Sequence, residues 1–194
     1  MIKPVHGARW LAVAAASLAA TAALTVALVT PAAATSTRPL AAPKAPQCSA
    51  ADLEVWVAAD QSQGAAGTIY YPLEFTNISK HTCTLFGHPG VSAIGSSGRQ
   101  LGSPAVWDNS VAPHTVRLAP AATGYALLEY HDAATGSCPP AHRVSALELR
   151  VIPPDQSQSV HAFWPLAACT VPPYTNFLSV RVIAPGIGLA GDGG

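Results

Sequence analysis

The sequence predicts an all-β chain: an antiparallel, immunoglobulin-like β-sandwich of about eight or nine short strands, held by two disulfides. Three observations lead there. Short apolar runs recur between clusters of Gly, Pro, Asn and Ser. No stretch keeps a helical period for three turns. The four cysteines of this 194-residue chain lie tens of residues apart behind an export segment, which is the pattern of disulfides and not of a thiolate zinc site with its closely spaced Cys pairs.

The N-terminal residues 1–34 have the parts of a secretory signal: Lys3, His6 and Arg9, an apolar run from Trp10 to Val29, and the small-residue site Ala32-Ala33-Ala34, with cleavage expected before Thr35. An uncleaved membrane anchor is the alternative, because the run approaches the length that spans a bilayer. Lipid attachment is not expected at Cys48, since Gln47 stands where small residues are required. Residues 35–47, TSTRPLAAPKAPQ, mix Pro, Thr and Ala without an apolar period and read as a solvated linker. A single domain then covers residues 48–184, and residues 185–194 form a Gly-rich tail expected to fray.

Within the domain, Leu53 to Val57 alternates as a first strand and Gly64-Ala65-Ala66-Gly67 makes a flexible approach to the second. That second strand, Thr68 to Ile78, puts Leu73, Phe75 and Asn77 on one face and Glu74, Thr76 and Ile78 on the other. Pro72 lacks a ladder donor and marks a sheet edge or a bulge. A turn at Asn77-Ile78-Ser79-Lys80 leads into Cys83 to Phe86, and Val91 to Ile94 returns through a Gly95-Ser96-Ser97-Gly98 hairpin to Leu101. Val111 to Pro120 and Thr123 to Tyr130 read as a pair. Val144 to Ile152 alternates with Leu147, Leu149 and Val151 on one side and Ala146, Glu148 and Arg150 on the other, and Pro153-Pro154 stops it. Val160 to Trp164 and Phe177 to Ile183 complete the set.

Four cysteines allow three pairings. Loop entropy does not choose among them, because closing roughly 30–35 residues and closing roughly 120 differ by only about 1 kcal/mol. The preferred arrangement joins Cys48 to Cys83 and Cys138 to Cys169, so that each bridge pins the start of a strand to a neighbour in sequence, at about 2–4 kcal/mol each.

The order Cys48, Leu53-Glu54-Val55, Gly64-Ala65-Ala66-Gly67, Leu73-Glu74-Phe75-Thr76-Asn77 and Thr82-Cys83-Thr84-Leu85-x-Gly87-x-Pro89-Gly90-Val91 resembles the exported bacterial domain-of-unknown-function family 4232. The likeness runs more loosely through Cys138 and Cys169 to Ile183. It implies a secreted or lipid-anchored β-sandwich of GC-rich Gram-positive bacteria and implies no reaction. His88 departs from the family pattern, which more often has an aromatic ring there.

Charge excludes one class of partner. Ten basic residues face ten acidic ones, and with Lys3 and Arg9 in the leader no basic stripe remains for a nucleic acid. Six histidines follow the leader: His81, His88, His114, His131, His142 and His161. Cys83 with His88 invites comparison with a copper loop, but the only Met is Met1 and Cys83 is an expected disulfide partner. Ser96 and Ser97 lack the spacing of a nucleophile elbow. Glu54 and Glu74 fall on adjacent strands, as a glycosidase pair would require, and read more simply as strand-face carboxylates. Asn77-Ile78-Ser79 matches a glycosylation acceptor and reads as a turn. The rings of Trp56, Trp107, Trp164, Tyr70, Tyr71, Tyr125 and Tyr130 form either a carbohydrate platform or the core.

The expected function is therefore that of a secreted, non-catalytic, monomeric module without metal or cofactor, binding an extracellular protein or a cell-wall component. The alternatives are a protease inhibitor that presents the stiff loop Cys138-Pro139-Pro140-Ala141-His142 and, behind it, a carbohydrate-binding module.

Overall fold

The computed structural model describes residues 44–65, 67–134 and 138–188, residue 65 by its backbone alone. The expected signal peptide, the expected linker before Lys44 and the tail beyond Gly188 lie outside the described residues. Among those described, the strands in chain order are β1 (Leu53–Val57), β2 (Gln63–Ala65), β3 (Thr68–Asn77), β4 (Cys83–Phe86), β5 (Gly90–Gly95), β6 (Gln100–Leu101) and β7 (Val106–Trp107). They continue with β8 (Thr115–Leu118), β9 (Thr123–His131), β10 (Arg143–Ile152), β11 (Val160–Cys169), β12 (Leu178–Val180) and β13 (Ala184–Pro185). The only helical turns among them are three short 3-10 segments.

The large sheet runs β1-β3-β9-β12-β7, with β2 beside β3 and β13 beside β9. A second sheet runs β11-β10-β5-β6, and β4 pairs with β8. All these pairings are antiparallel except β12 with β7. The inner faces supply one continuous core, in which Leu73, Phe75 and Leu128 of the large sheet meet Val91, Leu149 and Val151 of the second sheet and Leu85, Val116 and Leu118 of the β4–β8 pair. This is the antiparallel β-sandwich that strand alternation dictates, each strand turning its apolar side chains inward and its polar ones to water.

Pro72 lies in a central strand, yet its missing N–H falls where β1 has ended at Val57 and β2 has not begun. Ala58 N–H donates to Pro72 O there at 2.9 Å. The position is locally an edge, so the ladder loses nothing. At the β5–β6 turn Gly98 adopts φ 73° and donates to Gly95 O at 2.9 Å, a conformation that disfavours a side chain.

Several sequence expectations are corrected. Residues 111–120 and 123–130 do not pair with each other. Thr115–Leu118 joins β4, and Thr123–His131 joins β3, because β4 and β3 offer apolar faces in register over their whole lengths. Leu147 does not face inward with Leu149. The register shifts between Ala146 and Glu148, and this bulge turns Leu147 out to solvent. The strand begun at Val160 passes through Pro165 and continues to Cys169. Of Phe177 to Ile183 only Leu178–Val180 is in a ladder, and a separate two-residue strand, Ala184–Pro185, follows it. The approach to β3 contains the strand β2, and β7 had no counterpart in the sequence reading. Pro46 and Gln47 are already tied in, since Thr84 N–H donates to Pro46 O and Gln47 bridges Thr84. The tail is held as far as Gly188: Pro185 pairs with Gly124, and Gly186 N–H donates to Thr123 O.

One tyrosine fastens the two sheets. The Tyr130 hydroxyl, on β9, lies 2.9 Å from Ala167 O and 3.0 Å from Asp132 Oδ1, sharing its one proton between them, and accepts Ala167 N–H at 3.2 Å. Its ring makes edge contacts with Trp164 and Phe177. Tyr130→Phe leaves both polar groups of Ala167 without this partner, and we expect a loss of about 1–3 kcal/mol in denaturant unfolding. Burial, aided by the Asp132 carboxylate, also pushes the phenol above its ordinary value of 10.0. The unfolded chain then ionises this group near pH 10 while the folded chain keeps its proton. Stability therefore falls as pH rises above about 10, and Tyr130→Phe flattens that part of the pH dependence.

Candidate binding surface

The cysteines are bonded as Cys48–Cys83 and Cys138–Cys169. Cys83 consequently has no thiolate to offer a metal beside His88. The histidines are dispersed: His81 lies 3.8 Å from Asp52, His131 3.4 Å from Glu129, and His161 2.8 Å from Glu148. His114 and His142 are exposed. Among the described residues no group of three His, Cys, Asp or Glu side chains is arranged to hold a metal.

Glu54 and Glu74 do share the outer face of the large sheet, opposite Thr76 and Trp56 respectively. They are unlike in setting: Glu54 is exposed, whereas Glu74 is 3% exposed. Ser96 and Ser97 sit exposed at the tip of the β5–β6 hairpin. Asn77 is fully buried and bonded on all sides, so the acceptor pattern it begins is a turn and offers no accessible amide. The segment after Cys138 is exposed but wound into a 3-10 turn over Pro140–His142, with Arg143 Nε donating to Cys138 O. The His142 carbonyl accepts from both the amide and the hydroxyl of Thr170.

The aromatic residues divide. Trp164, Tyr71 and Tyr130 form an edge-to-face cluster between the sheets. Phe163 is 77% exposed on β11, with no ring contact among the described residues. Trp107 is 56% exposed and firmly built in. Its indole stacks on the His88 imidazole with centroids 5.2 Å apart and planes 9° from parallel. His88 Nε2 lies 3.0 Å from Asp108 O, a carbonyl, so this nitrogen carries the proton. Arg181 Nε donates to Asp108 Oδ2 at 2.8 Å, and Asp108 N–H donates to Val180 O at 2.9 Å. The Ser110 amide and hydroxyl, with Arg181, hold the Asp108 carboxyl below the usual carboxylate range, so it is charged at neutral pH. Val106 and Val111 are exposed nearby in the chain, as is Phe86, two residues before His88.

Residues 48–183 match the family described as Domain of unknown function (DUF4232). The chain belongs to this family. No curated protein matches it. The residues that carry the DUF4232 likeness are chiefly architectural here: Leu53, Val55, Leu73, Phe75, Leu85 and Val91 are all core. His88, where the DUF4232 pattern leads one to expect an aromatic ring, stacks on Trp107 as such a ring would. Sequence reasoning named Trp107 and His88 separately and did not join them. The turn residues on either side, Gly102-Ser103-Pro104 and Asp108-Asn109-Ser110, are the signal that brackets the short strand between them.

Proposed function

We propose that this is an exported, non-catalytic binding module that engages an extracellular protein or a cell-wall component, with Trp107 as its anchor. The observation that supports this reading is the fixed, half-exposed indole on its His88 and Asp108–Arg181 support. Interface energy concentrates in a few aromatic and Arg residues, and a side chain ordered before contact forfeits little entropy on binding. Export is supported by the two disulfides, which persist in oxidising compartments, together with the signal-like residues 1–34.

The winding of Pro140–His142 speaks against the inhibitor reading, because proteins that capture a peptide by strand addition engage it extended, with its carbonyls free. The inward positions of Trp164, Tyr71 and Tyr130 take three of the seven rings out of a carbohydrate platform.

The test is capture from the envelope and medium of the source organism on wild-type and Trp107→Ala protein in parallel, followed by binding of the captured component in purified form. We expect Trp107→Ala to weaken that binding by about 30-fold, the effect of losing a hot-spot residue, with folding stability nearly unchanged. Equal affinity of the variant, or turnover of the captured component, contradicts the reading.

A further inference from the structure

A buried carboxylate that has no ion pair among the described residues lies on the outer side of the large sheet. Glu74 pairs across the strands with Trp56 on β1 and Tyr125 on β9. All three alternate with the inward Val55, Phe75 and Ala126, so they form one row on the outer face. Facing Cβ atoms in such a row are about 4.5–5.5 Å apart, which stands the carboxylate between an indole and a phenol. Its cover is the C-terminal segment of the same chain. Gly188 N–H donates to Glu74 Oε1 at 3.4 Å, long for such a bond. The fit over the sheet is close, since a Cβ at position 188 falls 2.3 Å from Pro72 Cβ and 3.2 Å from Tyr125 Cδ2. The ion pairs of the described residues involve other carboxylates, those of Asp52, Glu129, Glu148 and Asp108. Buried carboxylates are as a rule compensated by a cation or by several donors, and the one donor to Glu74 among the described residues is this distant neutral N–H.

We propose that the Trp56–Glu74–Tyr125 row is a binding site for a cationic nitrogen, the ammonium or guanidinium of a partner's Lys or Arg, and that Gly186–Gly188 is its internal occupant in the free protein. Aromatic faces attract a cation, and the carboxylate between them supplies the charge-assisted hydrogen bond that Gly188 makes only weakly. Trp56, 37% exposed, is the open flank of the site. The occupant is thin, because only glycine fits against Pro72, and it is anchored upstream by the Ala184 and Pro185 pairings and by Gly186 N–H on Thr123 O. Among the described residues, the hydrogen bond that a cation has to displace from Glu74 is the long one of Gly188. This site is independent of the Trp107 anchor, and either can fail without the other.

The full chain is titrated at constant ionic strength with n-butylammonium and, in parallel, with uncharged n-butanol, following the Trp56 indole N–H resonance. The expected result is a saturable shift in the millimolar range with the ammonium only. It should be at least fivefold weaker in Glu74→Gln, which keeps the volume and an acceptor for Gly188, and at least fivefold tighter in a chain ending at Gly186. An alcohol response equal to that of the ammonium, or Glu74→Gln binding like wild type, overturns the proposal. Should Glu74→Gln fail to fold, the exposed Trp56→Leu is titrated instead and read at the Glu74 carboxyl carbon. Weakening there supports the site, and an unchanged isotherm overturns it.

Discussion

Replacing Cys48 and Cys83 together by Ala is expected to lower the unfolding free energy by about 3.5–4 kcal/mol, close to the chain-entropy value for the loop of 35 residues that this bridge closes. The location makes that magnitude credible. Both cysteines are fully buried, and the bridge holds the incoming chain against β4, where Cys48 N–H donates to Thr84 O and Thr84 N–H to Pro46 O. Without it, those bonds have to be kept by a segment with no other covalent restraint, and two buried sulfurs leave space that the core fills only partly. Domains of this size have about 5–15 kcal/mol in all, so the variant should survive with its melting temperature lowered by about 10 °C. A loss below about 1 kcal/mol in urea unfolding would mean that the N-terminal segment is held by its backbone pairing alone.

Asn77 should be almost as sensitive. Its amide nitrogen donates to His81 O at 2.8 Å and to Leu118 O at 3.0 Å, and its oxygen accepts from the Ser79 amide at 2.9 Å and the Ser79 hydroxyl at 2.7 Å. One fully buried side chain thus closes the β3–β4 turn and fastens it to β8. Asn77→Ala takes a partner from each of the Leu118 and His81 carbonyls, leaves the Ser79 amide without its acceptor and opens the turn, for an expected loss of about 3 kcal/mol. Asn77→Asp should cost at least as much although it keeps the Ser79 acceptor, because its second oxygen replaces a donor that faced two carbonyls and brings a charge into the core. Thermal unfolding of the two variants decides the point. An Asp variant clearly more stable than the Ala variant would show that the acceptor half of the amide matters and the donor half does not.

Local alternation explains why so much of the fold was legible. Leu53, Val55, Leu73, Phe75, Ala126 and Leu128 declare their inward faces by period alone, and turn chemistry marks where those strands stop. Pairing between strands distant in sequence is not written in any local period, which is why β8 was assigned to its neighbour β9 instead of to β4. A bulge defeats alternation by construction, and Leu147 was placed on the wrong face for that reason. The candidate sites were legible only in part. Trp107 sits on a two-residue strand, too short for any period, and its platform joins His88 to Asp108 and Arg181 from three separate segments. Glu74 was placed correctly on the outer face, but the neighbour that donates to it there is the backbone of Gly188, a glycine with no side chain to announce that it packs.

Hydrogen–deuterium exchange of the chain, with and without its captured binding component, tests the central claim most directly. If Trp107 anchors the contact, protection rises at Gly87–His88 and Val106–Asn109 while the exposed Pro139–Arg143 segment keeps its free-state exchange. Protection confined to Pro139–Arg143, with the Trp107 segment unchanged, would contradict the account and return the Cys138 loop to first place.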